Sequence, residues 1–187
     1  MIPARLNKVI PYLVLVTFLT FSSLPAARAE CRRLHEDAQS LSIVVNGSPH
    51  QVFQAIKQSR YQEPGRRKVV ASDSSSAILE ESFKNLPIVG DAICRYKETE
   101  ILNERIDYQI MNSDKFKAFD GAWELEPLDG GKATRLKLSS YVESYLKVPF
   151  WKQLTAMNTK RDIKRRLNNI KQNVESRRTS EASIVKL

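Results

Sequence analysis

Histidine and cysteine are scarce in this chain of 187 residues, which has two of each. His35 lies in a charged lead-in and His50 in the first turn of a short predicted helix, so neither is expected to face an interior cavity. A Ser-His-Asp or Cys-His nucleophile therefore has little to draw on. No group of His, Cys, Asp and Glu has the spacing of metal ligands, so neither a metal nor a cofactor is expected. The six glycines form no phosphate-binding loop. After Phe21 the chain has no second long apolar run.

The first apolar run reads as a secretory leader. Arg5 and Lys8 give a short positive start, Val9 to Phe21 is mostly apolar, and Ala27-Arg28-Ala29 has the small-x-small pattern of a cleavage site. The run is shorter than the roughly 20 residues of a spanning helix. The expected organisation is a signal peptide over 1–29, a lead-in over 30–39, one domain over 40–176 and a polar tail over 177–187. Export after cleavage near Ala29 is the expected fate, to a periplasm, the cell exterior or an equivalent lumen. An oxidising compartment permits a disulfide between Cys31 and Cys94, tying the lead-in to a strand.

The mature part alternates short strand-like segments with turns. Leu41 to Val45 is β-branched and predicts a strand. Asn46-Gly47 turns the chain, and Ser48-Pro49 is an N-cap with proline at the first helical position. Val52, Phe53 and Ile56 give that short helix its apolar stripe, to about Ser59. Further strands are expected over 68–72, 77–86, 93–102, 104–111, 115–127 and 134–142, with Asp129-Gly130-Gly131 as a hairpin turn. The segment 77–86 also has helical character, because it is rich in Glu and Lys. A basic amphipathic helix follows from Pro149 to about Ser176, with Ile163, Leu167, Ile170 and Val174 recurring at helical spacing.

Consecutive strands make an antiparallel sheet, and the long helix is the one element able to cover it. The predicted fold is α+β: a curved antiparallel β-sheet wrapped around a long C-terminal α-helix. Alternation puts Leu136, Leu138 and Ser140 on one face, with Phe119, Gly121, Trp123 and Leu125, then Ile106, Tyr108 and Ile110, on neighbouring strands. A cavity between sheet and helix is expected. Its candidate ligand-facing residues are Phe83, Tyr96, Tyr108, Ile110, Phe119, Trp123, Leu138, Met157 and Asn158, an apolar set with a few polar tips. Aromatics also dominate ordinary cores, so the same residues fit a core reading.

The layout resembles the START-like superfamily, also called SRPBCC or polyketide cyclase/dehydrase-like. The residues that carry the resemblance are the opening strand with Ser48-Pro49-His50-Gln51-Val52-Phe53-Gln54-Ala55-Ile56, the pair Phe119 to Pro127 and Gly130 to Leu136, and the helix with Arg161, Ile163, Leu167 and Ile170. It covers roughly residues 41–176. The resemblance implies a helix-grip container for a hydrophobic or amphipathic small molecule of the lipid, quinone or isoprenoid class. Its alternative implication is a cyclase or dehydratase using a buried carboxylate or tyrosine.

Carboxylates are the remaining catalytic candidates. Cys94, Tyr96, Glu98 and Glu100 alternate onto one face, with Asp107 and Asp120 on neighbouring strands. Carboxylates are rarely buried, so a solvent-facing position is the expectation for them. The formal charge of +9 is concentrated in the helix, in Lys160-Arg161, Lys164-Arg165-Arg166 and Lys171. Such a run is most often a solvated outer face, and Lys160, Lys164 and Arg165 are the candidates for contact with an anionic membrane surface or a partner protein. Export and the absence of interleaved aromatics argue against nucleic acid. A monomer with a hydrophobic small molecule is the expected state.

Overall fold

The computed structural model describes residues 33–86, 89–146 and 149–184, with the side chains of the last helix described as far as Arg177. The leader and Cys31 lie outside the described residues. Seven strands and two helices follow in the order β1 (Gln39–Val45), α1 (Pro49–Ser59), β2 (Arg67–Ser72), β3 (Ser76–Leu86), β4 (Gly90–Ile101), β5 (Arg105–Ser113), β6 (Phe116–Leu128), β7 (Ala133–Ser144) and α2 (Trp151–Ile184). All strands pair antiparallel in one sheet of order β1-β7-β6-β5-β4-β3-β2. The expected strand boundaries, and both helix starts, agree with these to within a few residues. The segment with helical character, Ser76–Leu86, is a strand, held between β2 and β4 by pairing on both sides.

Helix α1 forms because its start is fully capped. The Ser48 hydroxyl accepts from the Gln51 amide, and the Gln51 side chain reaches back to the Ser48 amide at 2.9 Å. Val52, Phe53, Ala55 and Ile56 are buried on its inner side. Helix α2 buries Ile163, Leu167, Ile170 and Val174, and it packs against β1, β7 and α1. Truncating any one of the larger of these to Ala would cost about 2–5 kcal/mol. The helix runs on to Ile184, eight residues beyond the expected end near Ser176. Residues 177–184 lack an apolar stripe but hold strong helix formers, which is enough to extend an anchored helix.

The concave face follows strict alternation. Ala92, Cys94, Tyr96 and Glu98 point inward from β4, and Ala77, Leu79 and Glu81 from β3. Tyr108 lies across Gly121, its register partner on β6, where any side chain would collide with the Tyr108 ring and with the Ser139 carbonyl. Glycine at that position lets the tyrosine ring lie flat against the sheet.

Candidate functional site

The sheet is uneven at one edge. β1 stops pairing at Gln39, opposite Ser140, while β7 continues to Ser144. The uncovered end of β7 and the first turns of α2 enclose an open cleft of about 1340 Å³. Ser140, Val142 and Ser144 line it from β7, and Trp151, Thr155, Ala156 and Thr159 from α2. Leu146, Pro149 and Phe150 border it from the connection between the two elements. His35 and Asp37 of the lead-in and Gln39 of β1 also line it.

The cleft is neutral inside and charged outside. Ser140, Ser144 and Thr159 are buried. The Thr155 hydroxyl oxygen is buried with no hydrogen-bond partner. Ser144 is satisfied locally, donating to the Lys115 carbonyl at 3.2 Å and accepting from the Leu146 amide at 3.1 Å. The charged residues Asp37, Lys117, Glu143 and Lys152 stand at the rim, where Lys117 pairs with Glu143 at 2.9 Å. The His35 ring stacks on Tyr141 with centroids 3.8 Å apart, and the Tyr141 hydroxyl donates to Glu143 at 3.2 Å. Contrary to the sequence reading, His35 thus helps wall a cavity. Partial burial and the adjacent Glu143 carboxylate raise the Tyr141 phenol above its ordinary range.

The middle of the sheet–helix interface is occupied by side chains. Tyr96, Tyr108, Phe83, Phe116 and Phe119 form an aromatic cluster, with Tyr96 and Phe119 centroids 5.2 Å apart and Tyr108 and Phe119 5.3 Å apart. Beside it lies an ion cluster. Glu81, with no exposed surface, accepts from Arg166 at 2.9 Å, from Arg67 at 3.2 Å and from the Tyr96 hydroxyl at 3.0 Å, and Arg66 lies 3.0 Å away. Burial opposes ionisation of Glu81, but Arg166, Arg67 and Arg66 together hold its carboxyl below the usual range. Asp162 is likewise held well below it, with Arg166 and Arg66 outweighing burial. Glu98 is buried against Arg60 at 2.7 Å, and here burial wins and pushes the carboxyl up. Lys57 and Arg60 both bond Glu100.

The expected solvent position of Glu98 is therefore wrong, because it shares the phase of Cys94 and Tyr96 and Arg60 neutralises it from the end of α1. Glu100 is drawn in the same way. Asp107 and Asp120 do lie on the other face, Asp107 paired with Arg105 at 2.8 Å and Asp120 accepting from the Ile110 amide at 3.2 Å.

The expected ligand-facing residues divide sharply. Phe83, Tyr96, Tyr108 and Phe119 come together as core, Leu138 and Trp123 are buried, and Ile110 is half-buried. None of them lines the cleft. Met157 is 61% exposed on the opposite side of α2, and Asn158 also misses the cleft, whereas Thr159 reaches it one residue later. The run of cations splits too. Lys160 and Lys164 are exposed, and Arg165 pairs with Asp162 at 2.7 Å. Arg166 turns inward to Glu81, so it does not belong to the outer stripe. Among the described residues Cys94 is a buried free thiol; it lies in the concave core, and burial pushes its thiol up to about 12. Cys31 lies outside the described residues. Among the described residues no cluster of His, Cys, Asp and Glu could hold a metal ion, and no helix is long and apolar enough to cross a membrane.

Sequence comparison finds no matching family model and no matching curated protein. Solved structures do match. A protein of Thermus thermophilus superposes with a TM-score of 0.59 at 16% identity, covering 74% of this chain and 97% of its own. The Zhui aromatase/cyclase of a Streptomyces species gives 0.59 at 11% identity, with 75% and 94% covered. A START superfamily protein from Mycobacterium smegmatis gives 0.57 at 16% identity, with 72% and 97% covered. The fold is the START-like helix grip. At these identities the likeness concerns the fold, and the site of this helix-grip chain rests on its own residues. Those missed by sequence reasoning are His35, Tyr141, Val142, Trp151, Thr155 and Ala156. The signal for part of them was available: Val142 continues the phase of Leu138 and Ser140, and Thr155 and Thr159 continue the inward stripe of α2 toward its start.

Proposed function

We propose that this protein binds a hydrophobic or amphipathic small molecule, of the lipid, quinone or isoprenoid class, in the cleft between the free end of β7 and the start of α2. The observation that carries the reading is the cleft itself. Small-molecule pockets usually occupy about 300–1,000 Å³ and are apolar with a few placed polar groups. This one is larger because its mouth is open, and it sets Val142, Leu146, Trp151 and Ala156 beside the hydroxyls of Ser140, Thr155 and Thr159.

Binding is favoured over a cyclase or dehydratase reaction by where the buried acids lie, since the acids that do border the cleft, Asp37 and Glu143, are exposed or paired with Lys117. The buried carboxylates Glu81 and Glu98 are engaged by arginines and do not line the cleft. Tyr96 donates to Glu81 and Tyr108 to the Ser139 carbonyl, so both hydroxyls are occupied. A general acid or base must reach the reacting atom, and these do not.

The reading includes export and a membrane-facing surface. The leader pattern of Arg5, Lys8, Val9 to Phe21 and Ala27-Arg28-Ala29 supports export. Met157, Lys160, Arg161 and Lys164 share one exposed face of α2, and that combination of apolar and cationic side chains suits an anionic bilayer. Gentle purification from the native compartment followed by native mass spectrometry tests binding and export together. The expected result is a chain beginning at Glu30 that carries a non-covalent adduct. A reproducibly empty, folded protein that takes up no apolar molecule would reject the reading.

A further inference from the structure

We infer that the molecule held in the cleft has an uncharged, oxygen-bearing head, such as an alcohol, ketone or ester, and that the cleft discriminates against ionised heads. This rests on the cleft reading above and specifies it. Every buried polar side chain lining the cleft is a hydroxyl: Ser140, Ser144 and Thr159. Ser144 has its bonds supplied by the Lys115 carbonyl and the Leu146 amide, and Ser140 is hydrogen-bonded to the Tyr108 phenol, which leaves Thr155 and Thr159 as the recognition groups. The Thr155 hydroxyl is buried and unpartnered. A χ1 rotation, which threonine in a helix tolerates, turns it toward the cleft at the loss of no bond.

Charges are kept out of this interior. Asp37, Lys117 and Lys152 are exposed at the rim, and Glu143 is tied to Lys117 and Tyr141. Ser140 is followed inward by Tyr108, whose phenol burial holds far above its ordinary range, so it too stays neutral. An ionised carboxylate or phosphate beside Ser140 and Thr159 would lose its water among neutral hydroxyls, whereas the lysines of the cleft, Lys117 and Lys152, are solvent-exposed, a costly transfer. A neutral oxygen needs one or two hydroxyl partners, which the cleft has. The other end of such a molecule would lie against Trp151 and Leu146 near the open mouth.

The test is displacement of a neutral fluorescent probe, N-phenylnaphthylamine, from the purified protein by a matched series of one chain length. The series comprises a fatty alcohol, the methyl ester of the fatty acid, and the acid itself at about pH 8, where it is ionised. The expected result is that alcohol and ester displace the probe at concentrations at least about tenfold below the carboxylate, which corresponds to about 1.4 kcal/mol. In the Thr155→Val/Thr159→Val variant, which keeps the shape of both side chains, the advantage of the alcohol over the carboxylate should shrink severalfold. Equal or tighter displacement by the carboxylate overturns the inference and leaves the cleft reading intact. An advantage that the double variant leaves unchanged does the same. A probe that does not bind the wild-type protein overturns the cleft reading and this inference with it.

Discussion

Arg166 of α2 meets Glu81 of β3 across the seam of the fold, with the guanidinium 2.9 Å from a carboxylate that has no exposed surface. Arg66 and Arg67 approach the same carboxylate, and Asp162 balances the excess positive charge. The long helix is thus fixed by charge as well as by its apolar stripe. It is a position-specific anchor, since Glu81, Asp162 and three arginines must all meet.

Breaking that anchor is expected to be costly. Arg166→Met should destabilise by about 3 kcal/mol, because it breaks the bonds of Arg166 to both Glu81 and Asp162 and leaves the two acids to the remaining arginines. Arg165→Met removes a half-exposed pair one residue away and should cost no more than about 1 kcal/mol. Urea unfolding of the two variants measures the contrast, and equal costs would mean that the buried cluster is no stronger than surface pairing.

The same cluster sets an acid limit. Glu81 and Asp162 have folded values below their unfolded ones, so they contribute stability that is present above about pH 4 and lost as pH falls through the folded values. Glu98 is raised by burial and works in the opposite sense, its contribution present below the unfolded value and lost as pH rises through the folded one. Urea midpoints measured downward from about pH 6 should therefore fall below about pH 4. Glu81→Gln should flatten that fall, and Glu98→Gln should leave it in place.

Gly121 is required by its neighbours more than by its own backbone. A methyl group there would collide with the Tyr108 ring and the Ser139 carbonyl. Gly121→Ala should cost about 3 kcal/mol, the upper end for overpacking, because one of the two neighbours is backbone. Thermal unfolding reads the loss directly, and an unchanged midpoint would show that the tyrosine does not lie against the strand.

Cys94 should be chemically silent while the protein is folded. Its thiol is buried and pushed up to about 12, and the thiolate is the reactive form. In a Cys31→Ser background, a disulfide-exchange reagent at about pH 8 should label the folded protein slowly and the urea-unfolded protein at once. Rapid labelling of the folded state would contradict the burial.

Much of the fold was legible because local chemistry and periodicity agree. Ser48-Pro49 with Gln51 defines a helix start whatever the surroundings, and Ile163, Leu167, Ile170 and Val174 define a buried face. The ion cluster was harder to read. Alternation with Cys94 and Tyr96 already puts Glu98 inside, but its neutralising partner Arg60 comes from the end of another element. Glu81 depends on three arginines outside its own strand, the adjacent Arg66 and Arg67 and the distant Arg166 of α2. The cleft was harder still. It exists because β7 outlasts β1 by four residues, a mismatch in strand lengths that no single segment encodes. The aromatic residues that look like a binding site, Tyr96, Tyr108 and Phe119, instead fill the interior below it.

The central claim is that the cleft beside Ala156 and Ser140 holds a small apolar or amphipathic molecule. Fluorescence titration with N-phenylnaphthylamine tests it most directly, comparing the wild-type protein with Ala156→Trp, which fills the space from the half-buried side of α2. The account predicts saturable binding with a blue-shifted emission in the wild type, lost in Ala156→Trp while the urea midpoint is retained. Absence of saturable binding, or binding that Ala156→Trp leaves unchanged, would contradict it.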